Sequence, residues 1–299
     1  PIRETLKAAI ENRADLKPSH ICISAAGPVA NNKCVMTNLP WCVDGDAITN
    51  ATGIPTLVIN DFMAISYGIP TLDVDDPKQI LKFKHTDGSE PKPQAATKAV
   101  IGPGTGMGVG FLAFDGQKYI PACSEGGHST FAPFDKETQD FRDYMEKRIG
   151  TVPGVEPLVS GMGLAHLYEW WRDTKGVPQN DAFKKIEETD WHDRPKYISR
   201  ASDTAPVAAE MMRMFVKMLA RFASDACTLF LPLGGFYLAG GTVQKDLRWL
   251  ERDNLFMTWF EKNYNPNIRP LLNKIPVYLI KDYSISLYGA ANASLNLQK

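Results

Sequence analysis

Two polar residues stand where an apolar run ends. Asn60 and Asp61 follow "IPTLVI", and the segment after them, "DFMAISYGI", is typical of a helix. The pattern therefore predicts a strand over residues 54–60 and a helix over 61–69. Polar side chains at such junctions often lie in a cleft, where a carboxylate can accept a proton. The alternative is that Asp61 only caps the helix, and the local pattern leaves both interpretations open.

A second group of polar residues has the chemistry of a sugar site. Glu125 and His128 flank two glycines in "SEGGHSTF", Glu156 precedes "PLVSGMG", and Thr37 and Asn38 lie in "MTNLPW". Carboxylate, amide and imidazole groups can together match the many hydroxyls of a sugar. For His128 alone the more ordinary alternative is a structural histidine bound to the backbone.

The segment "GPGTGMGVG" has a glycine at every second position from Gly102 to Gly110. It contains neither the GxxxxGK[ST] of a P-loop nor the GxGxxG of a dinucleotide fold. The pattern predicts a β-hairpin in which glycines supply positive φ and let another group approach the backbone. Its tip, Gly104-Thr105-Gly106, could cradle an anion such as phosphate. A tight hairpin without a ligand is the alternative.

A pair of glycines follows another apolar strand. Gly240 and Gly241 stand between "FYLA" and the predicted helix "VQKDLRWL". This arrangement can bring an adenine or a ribose against the backbone, but ordinary strand-to-helix turns have the same pattern.

The composition limits the class of protein. The chain has 299 residues, 44% of them hydrophobic, and a formal net charge of -1, which indicates a sizeable core in two domains. It has no basic block typical of nucleic-acid binding and no apolar run that could span a membrane. The five cysteines lack CxxC spacing, so the sequence indicates neither a metal site nor disulfides. A cytoplasmic enzyme fits best.

Strand and helix patterns alternate along the chain, so an α/β or α+β class is expected. The strongest periodicity lies in residues 204–230, whose many methionines indicate core filling rather than a cofactor site. Residues 84–98 are polar and proline-rich, which predicts an exposed loop. Further strands are predicted in residues 21–29, 234–241 and 275–281, and further helices in residues 3–13, 136–150, 161–173 and 286–297.

Several motifs together resemble one family. "GPVANNKCVMTNLPW", "VINDFMAISYGIP", "GPGTGMGVG", "SEGGHSTFAP", "EPLVSGMGL" and "FYLAGG" occur in this order. They closely resemble the bacterial-type glucokinases, the group without a zinc motif in the sugar kinase, actin and Hsp70 superfamily. The resemblance extends from about residue 5 to residue 292.

The resemblance implies an α/β fold of two RNase-H-like lobes, as in the actin-like ATPases, with a cleft between them. The small lobe would comprise residues 1–71 and 281–299, and the large lobe residues 72–280. The implied reaction is transfer of a phosphoryl group from ATP, with Mg²⁺, to the 6-hydroxyl of glucose. The family also implies a homodimer. A non-catalytic sugar-binding relative and a kinase of another hexose remain alternatives.

The resemblance also assigns roles to individual residues. Asp61 matches the catalytic base, and it lies among the sugar contacts. Gly104, Thr105 and Gly106 match a phosphate-binding hairpin, and Gly240 and Gly241 match the adenosine side. The remaining sugar contacts are Asn38, Asn60, Glu125, His128 and Glu156.

The sequence departs from the family at its start. The family begins with a strand ending in Asp-x-Gly-Gly-Thr, and no such motif occurs here; the aspartate that precedes the first predicted strand is Asp15. We therefore expect the first strands of the small lobe to be absent from this chain, and the natural protein to carry a longer N-terminus with that motif.

Overall fold

The computed structural model describes residues 2–12, 18–36 and 41–296. Asp15, Thr37 and Asn38 therefore lie outside the described residues. The chain divides into two compact units. The first comprises residues 1–79, 121–123 and 282–299, and the second comprises residues 80–120 and 124–281.

The first unit contains two small sheets with helices around them. Strands β1 and β5 pair in parallel, from Ile21 beside Thr56 to Ala25 beside Asn60. Strands β2, β3 and β4 form an antiparallel sheet of three. The elements are α1 Ile2–Glu11, β1 Ile21–Ala25, β2 Val29–Ala30, β3 Lys33–Val35, β4 Cys42–Asp44, α2 Gly45–Thr52, β5 Thr56–Asn60, α3 Asp61–Gly68 and α13 Ile285–Asn296.

Helices α3 and α13 approach closely through two glycines. A Cβ on Gly289 would lie 1.7 Å from the carbonyl oxygen of Ala64, and one on Gly68 would lie 2.5 Å from that of Ile285. The Asn292 side chain also donates to the carbonyl of Tyr67 over 2.8 Å. No side chain fits between the helices at these glycines, so their packing fixes the position of α3 and of Asp61 at its start.

The second unit is built on a six-stranded sheet in the order β6-β11-β10-β7-β8-β9. Strand β10 pairs in parallel with both β7 and β11, whereas β6 and β8 run antiparallel to their neighbours. The strands are β6 Ile80–Phe83, β7 Lys98–Pro103, β8 Met107–Phe114, β9 Tyr119–Ser124, β10 Phe236–Leu238 and β11 Val277–Ile280.

A large helical layer packs on this sheet and forms most of the core. As the periodicity predicted, α8 buries its methionines, among them Met211, Met214 and Met218. The helices are α4 Lys136–Ile149, α5 Gly161–Thr174, α6 Asp181–Glu188, α7 Arg194–Ala201, α8 Pro206–Phe230, α9 Gly241–Lys245, α10 Leu247–Glu251, α11 Leu255–Phe260 and α12 Arg269–Leu272.

The elements predicted from sequence are present with shifted ends, and the region between β6 and β7 is a loop as predicted. The helix predicted after Gly241 is broken into α9 and α10 at Asp246. Within the described part of the chain, no helix has both the length and the hydropathy to cross a bilayer. The described cysteine side chains, Cys22, Cys34, Cys42 and Cys227, are free thiols.

Candidate functional site

Asn60 and Asp61 lie at the junction of β5 and α3 in the first unit. Asn60 is the N-cap: its side-chain oxygen accepts from the N–H groups of Phe62, at 2.8 Å, and Met63, at 3.4 Å. Asp61 is therefore not the N-cap residue, and its Oδ1 also accepts from the N–H of Phe62 over 3.0 Å. Asp61 is the first helical residue, where the partial positive charge of the helix end favours its ionised form.

The loop after β1 is bound to this junction. The amide nitrogen of Asn60 donates to the carbonyl of Gly27 over 3.1 Å. Gly27 has a φ of +155°, and a Cβ there would lie 3.1 Å from the sulfur of Cys34. Burial, together with the negative charge of Asp61, raises the pKa of the Cys34 thiol. The Asp61 carboxylate therefore lies close enough to Cys34, on β3, to act on its thiol electrostatically.

The glycine run forms the predicted hairpin of β7 and β8, with Gly104-Thr105-Gly106 at its tip. The N–H of Gly104 donates to the carbonyl of Gly106 over 2.8 Å and closes the turn. The expectation of positive φ is wrong at both glycines of the tip. The turn closes without a left-handed residue, so these two glycines need another explanation.

Glu156 supplies that explanation at Gly106. Its Oε2 accepts from the N–H of Met107 over 2.8 Å, and a Cβ on Gly106 would lie 2.3 Å from the same oxygen. A side chain at residue 106 would therefore displace the carboxylate. No heavy atom lies within 4 Å of a Cβ built on Gly104. Sequence alone could not show this contact, because the two residues are 50 positions apart.

The segment with Glu125 and His128 is attached to the same hairpin. Its short 3₁₀ turn, Gly126–His128, presses Gly127 against the hairpin, where a Cβ would lie 2.0 Å from the carbonyl oxygen of Met107. The N–H of Glu156 donates to the carbonyl of Gly127 over 2.8 Å. These contacts bring the turn, Glu156 and the hairpin tip together.

The side chains of Glu125 and His128 point into solvent and remain available for a ligand. The His128 ring is 63% exposed, and its Nε2 lies 3.7 Å from Glu125 Oε2, too far for a hydrogen bond. Among the described residues the ring has no backbone partner. This observation counts against the structural alternative for His128.

Gly240 and Gly241 join β10 to α9 beside the hairpin. Gly240 has a φ of +98°, which only glycine adopts readily, and a Cβ there would lie 3.0 Å from the carbonyl oxygen of Pro103. Since β7 and β10 are parallel neighbours, their carboxyl ends meet at one edge of the sheet. The second unit thus gathers both glycine segments at that edge, with Glu156 beside the hairpin tip.

The described residues contain no group of three or more His, Cys, Asp and Glu side chains that could hold a metal ion.

The hairpin tip is further anchored to α5, because Gly161 and Met162 donate from their backbone to the carbonyls of Gly104 and Thr105. A sequence signal for this anchor exists in "SGMG", where the small residues permit the close approach.

The glucokinase family model matches residues 2–297. The chain belongs to the glucokinase family. The glucokinase of a Nostoc species is 32% identical over 293 residues, covering 94% of this chain and 83% of its own. The glucokinase of Mesorhizobium japonicum is 30% identical over 297 residues, covering 99% and 81%. The prediction of a glucokinase-family sugar kinase is therefore confirmed.

Solved glucokinases share the fold. A glucokinase from an Antarctic psychrotroph superimposes with a TM-score of 0.81 at 26% identity, covering 98% of this chain and 85% of its own. A Balamuthia mandrillaris glucokinase, solved in complex with glucose, gives 0.81 at 20% identity, covering 98% and 82%. The predicted α/β, actin-like sugar kinase fold is confirmed by these matches.

Proposed function

We propose that this chain catalyses the ATP-dependent phosphorylation of glucose at its 6-hydroxyl, giving glucose 6-phosphate and ADP. Family membership supports the activity, and the geometry of the second unit supports the way in which it is carried out. The proposed roles are divided between the two units: the catalytic base, Asp61, belongs to the smaller unit, and the phosphate-binding turn, Gly104-Thr105-Gly106, belongs to the larger. We keep residues 1–71 with 281–299, and 72–280, as the two proposed lobes.

One observation carries the proposal furthest. The Glu156 carboxylate accepts from the Met107 N–H beside the hairpin tip, which supports the proposal that the sugar-binding carboxylate and the phosphate-binding turn are neighbours. Its other oxygen, Oε1, has no hydrogen-bond partner among the described residues and can accept from a sugar hydroxyl. Phosphoryl transfer needs this proximity, because positioning supplies much of its catalysis.

The proposed sugar contacts are Glu125, His128 and Glu156 from the second unit, and Asn38, Asn60 and Asp61 from the first. Asp61 would accept the proton of the 6-hydroxyl while that oxygen attacks the γ-phosphorus and ADP departs. A base in this position contributes about 10²–10⁴-fold.

The Gly104-Thr105-Gly106 turn would hold the phosphates, and Gly240-Gly241 the adenosine. Mg²⁺ would neutralise charge on the phosphates when bound. A preformed cage of protein ligands is not found among the described residues. With nucleotides Mg²⁺ is usually held by phosphate oxygens, water and one or two carboxylates, and we propose the same here.

We place the enzyme in the cytoplasm, because its described thiols are free, and we propose a homodimer on the family resemblance. Sedimentation velocity tests the assembly.

A panel of hexoses and amino sugars tests the function. With ATP and Mg²⁺, glucose should give the highest kcat/KM, and ³¹P NMR should show a phosphomonoester at the 6-position. A higher kcat/KM for another hexose would overturn the choice of substrate. Glucose binding without ADP formation would instead support the non-catalytic alternative.

A further inference from the structure

A second concave site lies in the second unit, against the segment that carries Glu125 and His128. The cavity has a volume of about 340 Å³ and mainly apolar walls, with Met218, Phe222 and Phe230 of α8 facing Val109 and Phe131. This volume lies in the range of pockets that bind small molecules, which typically combine apolar walls with a few polar groups.

One positive and one negative side chain line this cavity, and the positive one, Arg221, also donates to the backbone carbonyl of Lys262. Arg221 and Asp225 lie one helical turn apart on α8 and line the cavity. Their nearest charged atoms are 3.7 Å apart, which is beyond hydrogen-bond distance. Among the residues that the structure describes, Arg221 is the only ion-pair partner of the Asp225 carboxylate, which is 51% exposed.

We propose that this cavity binds an apolar α-amino acid, with the side chain among the aromatic and methionine walls, the ammonium on Asp225 and the carboxylate on Arg221. Adjacent opposite charges above an apolar pocket complement an ammonium and a carboxylate on one carbon that bears an apolar group. Partial desolvation of Asp225 raises the pKa of its carboxyl, and an ammonium at this position would reverse that effect.

The cavity is connected to the proposed sugar site through its wall. Ser124, Gly126 and Ser129 line it, and the first two flank Glu125 in the chain. Val155 lines the cavity as well, and its N–H donates to the carbonyl of Ser129 over 2.9 Å, next to Glu156 in the chain. A ligand that packs against this wall restrains the segment that presents Glu125 and His128, and should therefore tighten glucose binding. This regulatory part rests on the proposed function.

Calorimetry of the full chain with L-phenylalanine, without glucose or nucleotide, tests the binding site. We expect one site per chain with a dissociation constant on the order of 1 mM or tighter. Phenethylamine and 3-phenylpropionate, which each lack one charge, should bind about tenfold more weakly or worse. Glycine, which lacks the apolar group, should not bind.

Two variants locate the site. Asp225→Asn should weaken the binding of L-phenylalanine at least about tenfold. The matched control Glu210→Gln, exposed on the same helix, should leave this affinity unchanged. Ala132→Phe should abolish binding by filling the mouth from an exposed position. No binding at about 10 mM, a concentration well above the expected dissociation constant, or equal effects of Asp225→Asn and Glu210→Gln, would overturn the proposal. So would a dimer that dissociates in Ala132→Phe, which would assign the cavity to an interface.

Glucose titrations with and without saturating L-phenylalanine test the regulatory part. The dissociation constant of glucose should fall several-fold, and glucose should lower the dissociation constant of L-phenylalanine by the same factor. An unchanged glucose constant together with confirmed binding of L-phenylalanine would remove the regulatory role. A chain that binds L-phenylalanine but does not phosphorylate glucose would contradict the proposed function and leave the binding site standing.

Discussion

A single methyl group added at Gly106 should impair the proposed sugar site while leaving the stability of the protein nearly unchanged. In Gly106→Ala the new Cβ would lie 2.3 Å from Glu156 Oε2, where ordinary contact begins at 3.4 Å. The carboxylate must therefore retreat by about 1 Å and give up its bond to the Met107 N–H. With the carboxylate displaced, Oε1 no longer meets the proposed sugar hydroxyl, and an enzyme–substrate hydrogen bond that involves a charged group contributes about 1.5–3 kcal/mol. A loss of that size corresponds to a fall of about 10–100-fold in kcat/KM for glucose.

Gly104→Ala is the matched control, because its Cβ would meet no heavy atom within 4 Å. Neither glycine has a positive φ, so neither substitution strains the backbone. The group that Gly106→Ala displaces is the end of a flexible side chain, so thermal unfolding should shift by no more than a few degrees in either variant. The contrast should therefore appear in catalysis and not in folding.

A coupled assay of ADP formation, with glucose and ATP varied in turn, measures both variants beside the wild type. Gly106→Ala should raise the KM for glucose or lower kcat, whereas Gly104→Ala, which lies in the proposed phosphate turn but does not meet Glu156, should leave the KM for glucose within about threefold of the wild type. The reasoning fails if the two variants lose activity equally, or if Gly106→Ala is fully active.

Three further predictions concern other parts of the chain. Gly289→Val should destabilise the first unit by about 1–3 kcal/mol, because the new side chain would be overpacked against Ala64. The urea concentration at the unfolding midpoint should fall, and an unchanged midpoint would contradict the close packing of the two helices. His128→Ala should weaken the binding of glucose about tenfold, measured by calorimetry. It should cause no loss of stability, since the ring is exposed. An unchanged affinity for glucose would exclude His128 from the site. Burial lowers the pKa of Lys98 to about 8, so the native state loses this proton before the unfolded state does. Stability should therefore rise by about 2 kcal/mol between about pH 8 and 10 relative to Lys98→Met. Free energies of unfolding that change with pH equally in the wild type and in Lys98→Met, measured by urea titration, would refute this.

The order of the main strands and helices could be predicted because hydrophobic periodicity and glycine punctuation act locally. The three short strands at residues 29–44 could not, since they hold only two or three residues each. Helix α13 was predicted, but its contact with α3 was not. That contact depends on Gly68 and Gly289, whose fit appears only when both helices are present.

The candidate site was partly predictable for a related reason. The residue types at Asn60 and Asp61 fit the chemistry, but the same pair also begins α6, as Asn180 and Asp181, with the asparagine again as N-cap. The local sequence cannot distinguish these helix starts; the ordered series of family motifs does. The contact of Glu156 with Gly106 arises from tertiary packing, so no local pattern contains it.

The kinetic effect of Asp61→Asn tests the central claim most directly, with Asp181→Asn as a control at the equivalent helix position. The account predicts a fall in kcat of about 10²–10⁴-fold for Asp61→Asn, with the dissociation constant of glucose within a few-fold of the wild type. Asp181→Asn should retain wild-type turnover. Turnover by Asp61→Asn close to that of the wild type would contradict the assignment of Asp61 as the base.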